Sequence, residues 1–245
     1  MENPTQIYGI RAVIEAINAG EAIDKVFIQK GLKGDLAKEL EGLIRKKGIN
    51  ASYVPPEKLN RLTQNNHQGV IANISPITFY TLETLVERVM DSKTNPLFLL
   101  LDQLSDVRNF GAIIRTAECT GVDGIIIQKK GAAPVTADTI KTSAGAAFRV
   151  PIAKVDHIKD AVFYLQASGI SVTVATEKTN TSIYELSFKE PSAIVMGAED
   201  KGVSPSVIKA ADHSAKLPLL GEIGSLNVSV ACGVFLYEVV RQRMG

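Results

Sequence analysis

Four short, continuously apolar runs constrain this chain most: LFLLL at 97–101, GIIIQ at 124–128, ISVTVA at 170–175 and AIVMG at 193–197. Alternating hydrophobicity would mark strands with one wet face, whereas unbroken runs of this length between helical patterns mark parallel strands covered on both sides. The region 95–245 is therefore expected to be an α/β domain built on a parallel sheet. Its last segment, NVSVACGVFLYEVVRQRM, reads as a helix with small residues early and large apolar ones late, so that something can approach its N-terminus closely.

The preceding region follows another pattern. Ile10, Val13, Ile14 and Ile17 have helical spacing before Gly20, and Leu36, Leu40, Leu43 and Ile44 repeat it before Gly48. DKVFIQK, NASYV and GVIANI read as strands, and PPEKLNRLT as a short helix opened by proline. Residues 1–74 are expected to form a compact α/β unit, with 75–94 as a connector carrying one amphipathic helix on Leu82, Leu85, Val86 and Val89. The segment MENPTQIYGI lacks a signal-peptide pattern, and no apolar run is long enough to span a bilayer, so the expectation is a cytoplasmic protein with no membrane partner. Cys119 and Cys232 lie far apart without metal-ligand spacing; both read as buried small hydrophobes, with no metal site. A net charge of +1 excludes a protein that coats polyanions indiscriminately, although a local basic face stays open.

Open parallel sheets bind ligands beyond the carboxyl ends of their strands. Three loops there stand out: DVRNFGAIIRTA with Asn109 and Arg115, GAEDKGVSP with Gly197, Glu199 and Gly202, and LGEIGSLNVS with Ser225 and Asn227. The second has the GxxxxG spacing of a phosphate-binding loop, but Val203 occupies the lysine position and leaves phosphate charge without a counter-ion. Ser225 lacks the GxSxG elbow of a hydrolase, and His67, His157 and His213 have no triad context. Arg115 sits beside Ile113 and Ile114, where a guanidinium costs solvation energy unless it reaches a partner or the surface. On residue type alone, Asn109, Ser225 and Asn227 could equally be helix caps and the glycines turn residues. The cluster Arg45, Lys46 and Lys47 could be an ordinary solvated helix end.

DVRNFGAIIRTA, IVMGAEDKGVSP and LPLLGEIGSLNVSVACGVFLYE together, in this order, resemble the three motifs of the SpoU (TrmH) family of RNA ribose 2′-O-methyltransferases, within the SPOUT class. IYGIRAVIEAI and NHQGVIANI are similar to the ribosomal-protein-type RNA-binding domain that precedes the catalytic domain in its RlmB-like branch, so the likeness covers nearly the whole chain. Arg11 departs from it, standing where histidine would be expected.

The resemblance implies a SPOUT domain with a deep trefoil knot, a homodimer through the knotted domains, and S-adenosylmethionine bound against the second and third motifs. Gly197, Leu217, Leu226 and Gly202 would line that cofactor. Arg115, Asn109, Glu199, Ser225 and Asn227 would serve catalysis, and Arg45, Lys46, Lys47, Lys30 and Lys33 would meet RNA. The implied substrate is a guanosine of large-subunit (23S) ribosomal RNA. The alternatives are transfer RNA, or an RNA-binding assembly factor with this fold and no turnover.

Overall fold

The computed structural model describes residues 6–244, so the reading of the first five residues lies outside it. The chain divides into two compact units, residues 1–78 and 79–245.

The first unit comprises β1 (Gln6–Tyr8), α1 (Ile10–Asn18), β2 (Ile23–Gln29), α2 (Asp35–Lys47), β3 (Ala51–Val54), α3 (Pro56–Leu62) and β4 (Val70–Ile74). The sheet order is β1-β4-β2-β3, with only β2 and β3 parallel. Because neighbouring strand residues face opposite ways, Val26 and Ile28 join Val13, Ile17 and Leu40 on one side, while Phe27 packs with Leu59 and Ile71 on the other. Helix α2 stops where Gly48 turns left-handed at φ 63°.

The second unit contains α4 (Leu82–Ser92), β5 (Leu97–Asp102), α5 (Val107–Cys119), β6 (Gly124–Gln128), α6 (Ala137–Thr142), β7 (Ile152–Val155), α7 (Ile158–Ala167), β8 (Ser171–Ala175), β9 (Ser192–Gly197), α8 (Pro205–Ala210), β10 (His213–Ala215) and α9 (Val228–Met244). Its six strands are all parallel, in the order β10-β8-β9-β5-β6-β7. From central β5 the chain runs outward to β7, then fills the other side with β8, β9 and β10. Every residue of β5 and β9 is buried, as the unbroken apolar runs require.

The 75–94 stretch, expected to be a connector, holds α4, whose Leu82, Leu85, Val86 and Val89 lie in one core cluster with Phe98, Leu100 and Ile126. A proline-containing start and the polar DSKTNP that follows conceal that attachment in the sequence. One cysteine differs from expectation. Cys232 is buried, which pushes its thiol up to about 12. Cys119 is exposed, because it lies one turn beyond Arg115 on the solvent side of α5.

The end of α9 is held by Arg243, which donates Nε to the Phe188 carbonyl at 2.9 Å, Nη1 to Asn95 at 2.7 Å and Nη2 to Glu190 at 3.0 Å. Two residues earlier, Arg241 donates through Nε and Nη2, each at 2.8 Å, to the buried Glu238 carboxylate, which holds that carboxyl below its usual range.

A chain beginning at Phe79 is expected to fold and to melt cooperatively. One beginning at residue 93 loses α4 and should bind a hydrophobic dye and aggregate, since four buried aliphatic side chains contribute about 1.5–3 kcal/mol each. Calorimetry and dye fluorescence on the two fragments check this.

Candidate active site

A cleft of about 400 Å³ opens beyond the carboxyl ends of β8, β9 and β10. Its floor is the turn after β9. Here Gly202 takes φ 65° and donates its N–H to the Ala198 carbonyl at 2.8 Å, folding the chain back against Gly197. A Cβ on Gly197 would stand 2.1 Å from the Gly202 carbonyl carbon and 2.2 Å from the Val203 nitrogen. Only a residue with no side chain permits that approach. The turn is also anchored from below, where the buried Asp102 carboxylate accepts the Ser204 N–H at 2.7 Å.

Gly197, Gly202, Glu199, Leu217, Ser225 and Leu226 all line this cleft. Asn109 and Asn227 meet at the Glu199 carboxylate. The Asn227 side-chain nitrogen donates to Asn109 Oδ1 at 3.0 Å and to Glu199 Oε1, so one amide joins all three motif segments. Glu199 Oε1 also accepts the Val228 N–H, and Asn227 Oδ1 accepts the Ser229 N–H at 2.9 Å. The start of α9 is thus capped by the same two side chains. Asn109 is not the cap of α5. Asp106 fills that position and accepts the Asn109 N–H at 2.7 Å, leaving the Asn109 side chain available for Asn227.

Arg115 is not brought into this cluster. It follows Asn109 by six residues, which at 3.6 residues per turn is about 120° around α5, and it stands exposed, outside the cleft lining. Its neighbour Thr116 lies 3.7 Å from where a Cβ on Gly233 would be, beside a groove formed by Tyr184, Val230, Gly233, Val234 and Tyr237. The proposed RNA contacts also separate. Lys30 and Lys33 precede α2 while Arg45, Lys46 and Lys47 end it, so a 13-residue helix, about 20 Å long, stands between two exposed groups.

Sequence reasoning passed over Thr176, Glu177 and Lys178, which line the cleft just beyond β8. The signal was available, because ISVTVA is one of the four parallel runs and its following loop belongs to the same ligand-binding edge. No cluster of three metal-ligating side chains occurs among the described residues.

Residues 96–237 match the SpoU rRNA Methylase family, and residues 6–80 match the domain described as RNA 2′-O ribose methyltransferase substrate binding. The Bacillus subtilis protein YacO, whose name places it among TrmH family tRNA/rRNA methyltransferases, is 33% identical over 97% of this chain and 95% of its own length. A Staphylococcus aureus protein with the same family name is 36% identical over 98% of this chain and 96% of its own. Among solved structures, the SpoU methyltransferase AviRb of Streptomyces viridochromogenes, crystallised in complex with AdoMet, shares the fold with a TM-score of 0.62 over 98% of this chain and 90% of its own, at 24% identity. An A. aeolicus TrmH/SpoU tRNA modifying enzyme covers 66% of this chain and 84% of its own at 29% identity, with a TM-score of 0.56. Together, the six-stranded parallel sheet, the glycine-tight cleft and these matches define an RNA methyltransferase. The chain belongs to the SpoU/TrmH family.

Gly197→Ala forces backbone apart and is expected to cost about 1–3 kcal/mol or more, lowering the melting midpoint of the second unit by roughly 4–10 °C. Gly224→Ala, in the same cleft but with open space around it, should leave the midpoint unchanged. Thermal melts of the two variants check this contrast.

Proposed function

We propose that the chain is a homodimeric S-adenosylmethionine-dependent enzyme that methylates a ribose 2′-hydroxyl of structured RNA, a guanosine of 23S ribosomal RNA, in the cytoplasm. The observation that carries this is the Asn227 amide tying Asn109 and Glu199 together at a cleft floored by the Gly197–Gly202 turn. No helix among the described residues is long and apolar enough to cross a membrane. The RNA-binding assignment of residues 6–80 favours a large structured RNA over a free nucleotide. The Lys30 and Lys33 pair and the Arg45–Lys47 end of α2 serve as phosphate contacts in this reading.

The cleft suits the cofactor. Its volume falls within the usual range for small ligands, and its closest wall is main chain, which lets an adenosine edge approach amide and carbonyl groups. Gly197, Gly202, Leu217 and Leu226 would hold it. When bound, S-adenosylmethionine supplies an electrophilic methyl group. Ser225, Asn109 and Asn227 present hydroxyl and amide groups to the ribose, and orientation of this kind contributes up to about 7 kcal/mol or more in well-aligned systems. Excluding water favours a transfer in which opposite charges disappear.

A guanidinium offers hydrogen-bond donors and no acceptor, so the task of Arg115 is to stabilise the oxygen's developing negative charge, worth about a few kcal/mol by comparison with a single oxyanion donor. Since it points away from its own chain's cleft, we assign it to the cleft of the second copy. The groove beside Thr116, where Val230 and Tyr237 are exposed and Glu238 and Arg241 complete the lining, supplies the surface for that dimer. The trefoil knot of the SPOUT class is part of the same proposal.

The test is incubation with labelled S-adenosylmethionine and total RNA from a strain lacking the gene, followed by mapping of the modified residue. Label on a 23S guanosine ribose is expected; label on a base, or in transfer RNA alone, overturns the substrate assignment. Arg115→Ala is expected to abolish transfer while cofactor affinity, read by calorimetry, stays within about threefold, because the guanidinium serves the oxygen and not the cofactor. A near-normal single-turnover rate would remove Arg115 from the mechanism.

A further inference from the structure

The turn after α6 inverts the usual order of size and burial. Ala146 and Ala147 are buried, as are Ser143 before them and Val150 after them, and the turn packs on α5, while the largest residue of the stretch, Phe148, stands 61% exposed. The turn is stiff. Ser143 is fully buried and donates its hydroxyl to the Ile140 carbonyl at 3.1 Å. Ala144 and Gly145 both take left-handed conformations, with φ 51° and 83°, and the short 3₁₀ turn Ala146–Phe148 follows. A left-handed alanine is strained, and such strain persists only where the surroundings impose it. The backbone of the turn thus holds Phe148 at the surface.

Its surroundings are cationic. Arg108, Gly111, Arg115 and Glu118 follow one another at helical spacing along a single stripe of α5. At Gly111 a Cβ would lie 1.8 Å from Thr142 Oγ1, so the end of α6 rests directly on that stripe. At its far end Arg149 Nη1 lies 3.6 Å from Glu118 Oε1. The segment carrying Phe148 therefore runs along the stripe past Arg115, with exposed Lys141 before it and exposed Arg149 after it. The Arg149 side chain is 77% exposed and engages one carboxylate loosely, leaving most of its donors to solvent. Besides Arg115, which the proposed dimer takes for its second copy, Arg108, Lys141 and Arg149 are exposed on α5, the end of α6 and this turn, against the carboxylates of Glu118 and Asp138.

We propose that the Phe148–Arg149 turn is a docking surface for single-stranded RNA, a nucleobase stacking on the Phe148 ring while Arg149 and Lys141 hold the flanking phosphates. This rests on the reading of RNA as substrate and adds that the catalytic unit itself selects an unpaired segment. A stacked ring between phosphate contacts is how single strands are held without dependence on sequence, and a base inside a duplex has no free face to offer.

The chain contains no tryptophan, so Phe148→Trp places a single reporter at the surface. The full chain would be titrated with a fluorescein-free 12-nucleotide single-stranded RNA of mixed sequence, and with the same RNA annealed to its complement. The single strand is expected to quench the tryptophan and the duplex to leave it unchanged. By anisotropy with a labelled strand, Phe148→Ala should weaken single-strand binding at least about fivefold with an unaltered salt dependence. Arg149→Ala should reduce the slope of log affinity against log salt by about 0.7. Tryptophan emission indifferent to saturating single strand, or Phe148→Ala affinity within twofold of the parent, overturns the proposal. So does dissociation of the Phe148→Ala protein into monomers in sedimentation, which would assign the ring to a protein interface. The reporter responding in a protein that transfers no methyl to any RNA would overturn the proposed function and leave this surface standing.

Discussion

The amide nitrogen of Asn227 is the point on which the site depends. It donates to Asn109 from the helix after β5 and to Glu199 from the turn after β9, while its own backbone opens α9. Three segments far apart in sequence are thereby held in one register beside the cleft. Arg243 performs the matching task at the other end of α9, gripping the carbonyls of Phe188, Asn95 and Glu190. The last helix is thus clamped at both ends, and the cleft wall it contributes has little freedom to drift.

Close backbone contact is the second organising constraint. At Gly197 the chain touches itself across the turn of the cleft floor, and at Gly111 one helix touches the end of another. Both contacts exclude even a methyl group. The first shapes a recess whose floor is main chain, and the second sets a basic stripe of α5 against the turn that presents Phe148. In each case an absent side chain determines where present ones can act.

Much of the architecture was legible in the residues. The four apolar runs are β5, β6, β8 and β9, and the helical spacings of Ile10–Ile17 and Leu36–Ile44 fall in α1 and α2. Short elements were not. The strand β10 has three residues and β7 four, too few for a period to declare itself, and each depends on its neighbour's hydrogen bonds. Helix α4 was visible as a helix, but its partners Phe98 and Ile126 could not be named from its own pattern. The meeting of Asn109, Glu199 and Asn227 followed from their shared position at strand ends. The separation of Arg115 from them followed from helix phase, which six intervening steps along α5 encode and motif adjacency hides. Asp106 as the true cap of α5 was likewise written in the sequence, three residues before Asn109.

The distance along the chain between Asn109 and Asn227, 118 positions, has a consequence for the protein's lifetime. Closing so large a loop is entropically costly, and parallel strands joined by long crossovers assemble slowly, so the cleft belongs to the final stage of folding. Whatever occupies it binds the finished state alone and shifts the folding equilibrium of the second unit by mass action. When opening and reclosing are fast compared with cleavage, degradation follows the population of open molecules. In that regime an occupied cleft lowers the open population, and the small molecule that serves the reaction also protects the chain that uses it.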